Sequence, residues 1–135
     1  MMLNSDFLGS MISKAQAAMQ NAYAPVDDFK VGCCLRTEDG FLYSGCNIEI
    51  SPINLTLCAE TVAIGKMISE GGEKKISDIV VMANKVDVCP PCGVCRQRLL
   101  EFATPNLQVY LCDKEGAVKK IFALTYLIPE PFLWK

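Results

Sequence analysis

The run Ile76–Ala83, ISDIVVMA, constrains the fold of this chain more than any other segment. It is nearly continuously apolar and rich in β-branched side chains, the pattern of a strand buried on both faces. Such a strand needs cover above and below, and the flanking segments supply it. Phe7, Leu8, Met11, Ile12, Ala15, Ala18, Met19 and Ala22 recur at helical spacing over residues 6–22, with Ser5 as N-cap and Pro25 just past the end. Cys58–Ser69 repeats that periodicity through Val62, Ile64, Met67 and Ile68, and stops at Gly71-Gly72. Val31–Arg36 and Phe41–Cys46 flank Glu38-Asp39-Gly40 as a hairpin. Beyond Pro90-Pro91 a short helix is expected over Cys92–Phe102. Strands Leu107–Cys112 and Ala117–Phe122 then flank the turn Asp113-Lys114-Glu115-Gly116, and a helical turn over Leu124–Ile128 precedes Pro129. The order α-β-β-α-β-α-β-β-α predicts one α/β domain over 1–135, a three-layer α/β/α arrangement with a mixed five-stranded sheet.

Composition narrows the partners. The net charge is −2, and the basic residues are scattered apart from Lys74-Lys75 and Lys119-Lys120. That gives no electrostatic footprint for nucleic acid. The longest apolar stretches fall far short of the roughly 20 residues that span a bilayer, and Met1–Asp6 lacks the basic start and apolar core of a signal peptide. A cytoplasmic protein acting on a small molecule is expected.

Eight cysteines in 135 residues indicate either a disulfide framework or metal and redox chemistry. An apolar content of 51% supplies a core without staples, which favours the second reading. With no histidine in the chain, any metal must rest on thiolates and carboxylates.

Two segments concentrate the chemistry: Cys58-Ala59-Glu60, and Cys89-Pro90-Pro91-Cys92-Gly93-Val94-Cys95-Arg96-Gln97. Both sit at expected helix starts, where the helix dipole and free N–H groups favour thiolate. Cys92 and Cys95 share a helix face. Convergence of the two starts would place Cys58, Cys92 and Cys95 around one Zn²⁺, with a fourth position left for water. Glu60, two residues from a ligand, is placed to move protons. Three thiolates leave the complex near −1, and Arg96, next to Cys95, is the expected compensating cation. Other readings remain at this point: a closed four-cysteine zinc site with Cys89 as fourth ligand, part of an iron–sulfur motif, or a Cys89–Cys92 redox pair. Cys33, Cys34, Cys46 and Cys112 fall on expected strands and read as small buried hydrophobes.

A His/Cys-x-Glu element followed by Pro-Cys-x-x-Cys is the general signature of zinc deaminases, and on it the chain resembles the small cytidine deaminases over roughly Tyr23 to Phe132. Tyr23-Ala24-Pro25, Phe29-Lys30-Val31-Gly32, Gly45-Cys46-Asn47-Ile48-Glu49 and Leu127-Ile128-Pro129 with Phe132 also match. The resemblance implies that Asn47 and Glu49 bind ribose hydroxyls and Phe29 packs on the pyrimidine. It implies that the Ala59 N–H holds the base carbonyl, that Glu60 serves ring N3 and then the departing amine, and that water activated at zinc adds to C4. It further implies a homotetramer in which Phe132 reaches a neighbouring subunit's site, and a role in pyrimidine salvage. The family usually has Asn, Tyr and Arg where Ile50, Ile53 and Thr61 stand here, and Ser at Pro90. Blasticidin S deaminases, which also lack that arginine, are the nearest alternative, and a non-enzymatic zinc or iron–sulfur module is a third. Arg98, helix dipoles or another neighbour would have to replace the missing cation.

Overall fold

The computed structural model describes residues 3–134. In chain order the elements are α1 (Ser5–Gln20), β1 (Val31–Thr37), β2 (Leu42–Cys46), α2 (Ala59–Glu70), β3 (Ile76–Ala83), α3 (Gly93–Phe102), β4 (Ala103–Cys112), β5 (Val118–Ala123) and α4 (Leu124–Leu127), with a 3-10 turn at Ile53–Leu55. The five strands form one sheet in the order β2-β1-β3-β4-β5. All neighbours are antiparallel except β3 and β4, whose parallel pairing requires the α3 crossover.

β3 is the central strand, and every residue in it except Ser77 is buried. Asp78, the charge within that run, is 5% exposed and is paired with Arg36 at 3.1 Å. Strand alternation divides the core in two. Cys33, Leu35, Ile79, Val81, Val109 and Leu111 face Ala63 and Met67 of α2, Leu99 of α3 and Leu124 of α4. Cys34, Val80, Met82, Tyr110 and Cys112 face Met11, Ala15 and Met19 of α1. The sheet therefore carries helices on both faces, in three layers, as the sequence implies.

Two glycines let the helices settle directly on the sheet. A Cβ at Gly32 would lie 2.1 Å from the Ala15 carbonyl oxygen of α1. A Cβ at Gly45 would lie 2.4 Å from the Ala59 carbonyl oxygen and 2.7 Å from the Ala63 nitrogen of α2. The first turn of α2 is thus seated on β2 backbone.

Several boundaries differ from the sequence reading. Asn4, not Ser5, caps α1: its Oδ1 accepts the Asp6 N–H at 2.8 Å, and Ser5 is already helical. α1 ends at Gln20 rather than residue 22, because the chain turns at Asn21 so that Tyr23 can bridge to Ile48. β4 starts at Ala103 rather than Leu107. α3 ends at Phe102 with no residue between it and the strand, Ala103 pairs with Ile76, and the register then slips until Gln108 pairs with Asp78. Cys33, Cys34 and Cys112 are buried, but Cys46, at the end of edge strand β2, is only half-buried.

Candidate functional site

Cys58 and Cys92 are the N-cap residues of α2 and α3. Both have extended backbone, and neither uses its side chain to cap the helix. Their Sγ atoms are therefore free to meet, 3.9 Å apart. Cys95, in the first turn of α3, is fully buried and completes a group whose three Sγ atoms all lie within 4.8 Å of one another. Tetrahedral zinc with Zn–S near 2.3 Å calls for S···S separations of about 3.8 Å, so the cluster suits such an ion with little adjustment. Cys89 is not a member of the group, and burial pushes its thiol up to about 11. The fourth-ligand and four-cysteine readings lose their support on this geometry.

The thiols are electrostatically unequal. A hydrogen bond with Cys95 brings Cys58 down to about 6, against the opposing effect of burial, with Cys92 and the charge of Arg98 helping. Cys95 is shifted upward, first by that same bond and then by burial. Cys58 is thus the first of this pair to ionise.

Glu60, in the first turn of α2, is 4% exposed. Burial pushes its carboxyl up to about 7 and Cys58 adds to the rise, while its own backbone N–H and Cys95 pull the other way. It lines a cavity of about 170 Å³ together with Cys58, Cys92, Ala59, Asn47 and Thr56, with Val31, Cys89 and Pro90 closing the wall. A larger cleft, about 520 Å³, lies near Leu3, Phe7 and Asn106. Its Arg36 and Asp78 already pair with each other, and none of the three clustered cysteines borders it.

The segment after β2 carries the remaining expected contacts. Ile48 bridges both Tyr23 and Leu57, so the chain stays extended there and Asn47 and Glu49 project on one side. Asn47 is buried; its Nδ2 donates to the Phe29 carbonyl at 2.8 Å and its Oδ1 accepts the Val31 N–H at 2.9 Å. Glu49 is also buried and accepts the Val26 N–H at 2.8 Å. Its carboxyl hydrogen-bonds Asp27, and that contact is the leading reason why Asp27 lies below its ordinary value. Both side chains are held rigidly by backbone before any ligand arrives.

Phe29 is half-buried and is not among the residues lining the cavity. Phe132 is 74% exposed, with its carbonyl accepting from Gln97 Nε2 at 3.0 Å, and it lies against Leu133 and Trp134, apart from the thiols. Arg96 does not meet the thiolates as the sequence reading expected. Its Nε donates to the Pro91 carbonyl at 2.7 Å and its Nη1 to the Leu127 carbonyl at 2.8 Å, so it ties the proline loop to α4. The cation that acts on Cys58 is Arg98. Thr56 is a wall residue that the sequence reading missed. Its hydroxyl accepts the Ile50 N–H at 3.0 Å, and only its place two residues before Cys58 hinted at a role.

Comparison with known proteins agrees with this geometry. Residues 7–111 match the family model described as the cytidine and deoxycytidylate deaminase zinc-binding region. The chain is 36% identical over 122 residues to a cytidine deaminase of Sporosarcina psychrophila, covering 90% of this chain and 88% of that protein. It is 37% identical over 122 residues to one of Halalkalibacterium halodurans, covering 90% and 91%. The crystal structure of cytidine deaminase from Burkholderia pseudomallei superposes with a TM-score of 0.84 at 35% identity, covering 92% of this chain and 98% of that one. Among the described residues, no helix is long and apolar enough to cross a membrane.

Proposed function

The chain belongs to the cytidine and deoxycytidylate deaminase family, and from that membership we propose that it hydrolyses cytidine and deoxycytidine to the uridine products and ammonia. One observation carries the reading: Cys58 and Cys92, two members of a three-thiol cluster that excludes Cys89, line a cavity together with the buried carboxyl of Glu60. A structural site would be closed by a fourth protein ligand, whereas three leave room for water.

Cys58, Cys92 and Cys95 hold the zinc ion, which when bound supplies a Lewis acid able to lower the pKa of water to about 7. Glu60 is the proton carrier. Its carboxyl sits near neutrality because burial disfavours the charged form, so it can accept a proton from the attacking water and release it in the same cycle. It delivers that proton to ring N3 and then serves the amino nitrogen as ammonia departs. The Ala59 N–H, at the positive end of α2, holds the base carbonyl.

Asn47 retains a second amide hydrogen beyond its bond to Phe29, and Glu49 is anchored beside it. They bind the ribose hydroxyls, and Phe29, on the segment before β1 whose carbonyl Asn47 holds, packs against the base. Phe132, Leu133, Trp134 and Tyr126 are large and exposed, which suits burial between copies in a homotetramer where Phe132 meets a neighbour's cavity. All eight cysteines are unpaired, as suits a single-domain cytoplasmic enzyme of pyrimidine salvage.

The test is loss of the ultraviolet band of cytidine, with ammonia released in equal amount, on mixing with protein that holds one zinc per chain. Deoxycytidine and blasticidin S complete the panel. Conversion of neither cytidine nor deoxycytidine by fully zinc-loaded protein overturns the proposal, and turnover of blasticidin S alone transfers it to that substrate.

A further inference from the structure

Two helix faces meet at the thiol cluster. On α2, Thr61 follows Cys58 by three residues; on α3, Arg98 follows Cys95 by three. Residues at that spacing share a face, so each helix presents a sulfur and, one turn further in, a polar partner. The two partners touch: Arg98 Nη1 donates to Thr61 Oγ1 at 2.8 Å. The same Oγ1 lies 3.9 Å from Cys95 Sγ. A hydroxyl oxygen that accepts from guanidinium keeps its own proton free to donate, and an ionised Cys95 sulfur offers only an acceptor. Arg96 is committed to two backbone carbonyls.

We propose that Thr61 and Arg98 form one positioning unit, in which the Thr61 hydroxyl holds the Arg98 guanidinium beside the cluster and donates to Cys95 Sγ, offsetting the excess negative charge of three thiolates on zinc. The inference rests on the zinc-deaminase reading above and adds to it the source of the compensating charge. The physical need is plain: Zn²⁺ with three thiolates carries a net −1, which weakens its pull on water electrons. A cation held one hydroxyl away from Cys95, and acting on Cys58, reduces that excess without occupying the open coordination position. Arg98 is exposed, so its field is screened, and the effect is a modest tuning rather than an all-or-none requirement.

The test measures zinc affinity of the full chain by competition with a chromophoric chelator at one pH. The variants are Arg98→Gln, Arg98→Lys, Thr61→Val and the Arg98→Gln/Thr61→Val double. Arg98→Gln is expected to weaken zinc binding by roughly three- to tenfold, and Arg98→Lys to retain most of the wild-type affinity. The double variant should be no worse than the weaker single, because members of one unit are not additive. The gap between wild type and Arg98→Gln should shrink in about 1 M salt, where screening reaches roughly 3 Å. Equal affinity in Arg98→Gln and wild type overturns the proposal, as does an equal loss in Arg98→Gln and Arg98→Lys. Full additivity of Arg98→Gln with Thr61→Val overturns the claim that they act together. Failure of the wild-type chain itself to bind zinc refutes the zinc-deaminase reading instead, so the two failures are distinct.

Discussion

Replacing Gly45 with alanine should disable the site from outside it. A Cβ there would stand 2.4 Å from the Ala59 carbonyl oxygen, where ordinary contact begins at 3.4 Å. Both obstacles, Ala59 O and Ala63 N, are helix backbone, which cannot rotate aside as a side chain would. The first turn of α2 must therefore retreat by about 1 Å, within the range where misplacement of reacting groups costs on the order of 100-fold in rate. Ala59 lies between Cys58 and Glu60, so the proposed ligand and the proposed proton carrier move together relative to Cys92 and Cys95. Overpacking of this kind also costs about 1–3 kcal/mol of stability. Gly65→Ala is the control. It changes the same helix, but its Cβ meets nothing within 4 Å, and alanine in a helix interior gains about 0.5–1 kcal/mol over glycine. Steady-state kinetics on cytidine, zinc content and thermal melting should be read on both variants. If Gly45→Ala keeps full zinc and a kcat/KM within about threefold of wild type, the seating of α2 on β2 does not position the chemistry.

Other outcomes follow from the same geometry. Glu60→Gln should keep one zinc per chain by metal analysis while kcat falls by roughly 100- to 10,000-fold; survival of more than a few per cent of activity removes Glu60 as proton carrier. Cys92→Ala should release zinc to a weak chelator and lower the melting temperature of the loaded protein, because metal held by the fold adds to its stability. Cys89→Ser should change neither zinc content nor melting, and loss of metal there would restore the four-ligand alternative. In metal-free protein the Glu60 carboxyl, raised from 4.5 to about 7, favours folding below pH 4.5, and that contribution is lost as pH rises through about 7. Cys58, lowered from 9.0 to about 6, acts in the opposite sense: its contribution is present above pH 9 and lost as pH falls through about 6. The readout is therefore the difference between wild type and Glu60→Gln in urea midpoints from pH 4 to 8, and a constant difference contradicts the buried-carboxyl account.

What was legible in the sequence is what local spacing encodes. Ile76–Ala83 matches β3 residue for residue, because a strand buried on both faces has one unmistakable composition. Cys58 marks its helix start because it lies just before an apolar-periodic run, and Cys92 because it follows the Pro90-Pro91 loop. Contacts between distant segments left no such mark. Thr61 stood out only by not being arginine, and nothing local pairs it with Arg98, 37 residues on. Arg96 looked well placed by adjacency to Cys95, but consecutive helical residues point about 100° apart, and its guanidinium turned to Pro91 and Leu127. The 3-10 turn at Ile53–Leu55 buries no residue, so it had no apolar period to announce it.

The junction at Phe102 and Ala103 bears on how a metal is received. With no linking residue between α3 and β4, the helix has no joint at which to swing, and Pro90-Pro91 stiffens the approach to its other end. Cys92 and Cys95 are consequently held between a rigid entry and a rigid exit, one of them welded to the strand beside the sheet's centre. Much of the disorder that a metal would otherwise have to remove from this half of the site has already been removed when the sheet forms. The ion arrives at a pair of sulfurs set in place by folding, and the cost of gathering its ligands falls mainly on bringing Cys58 into register.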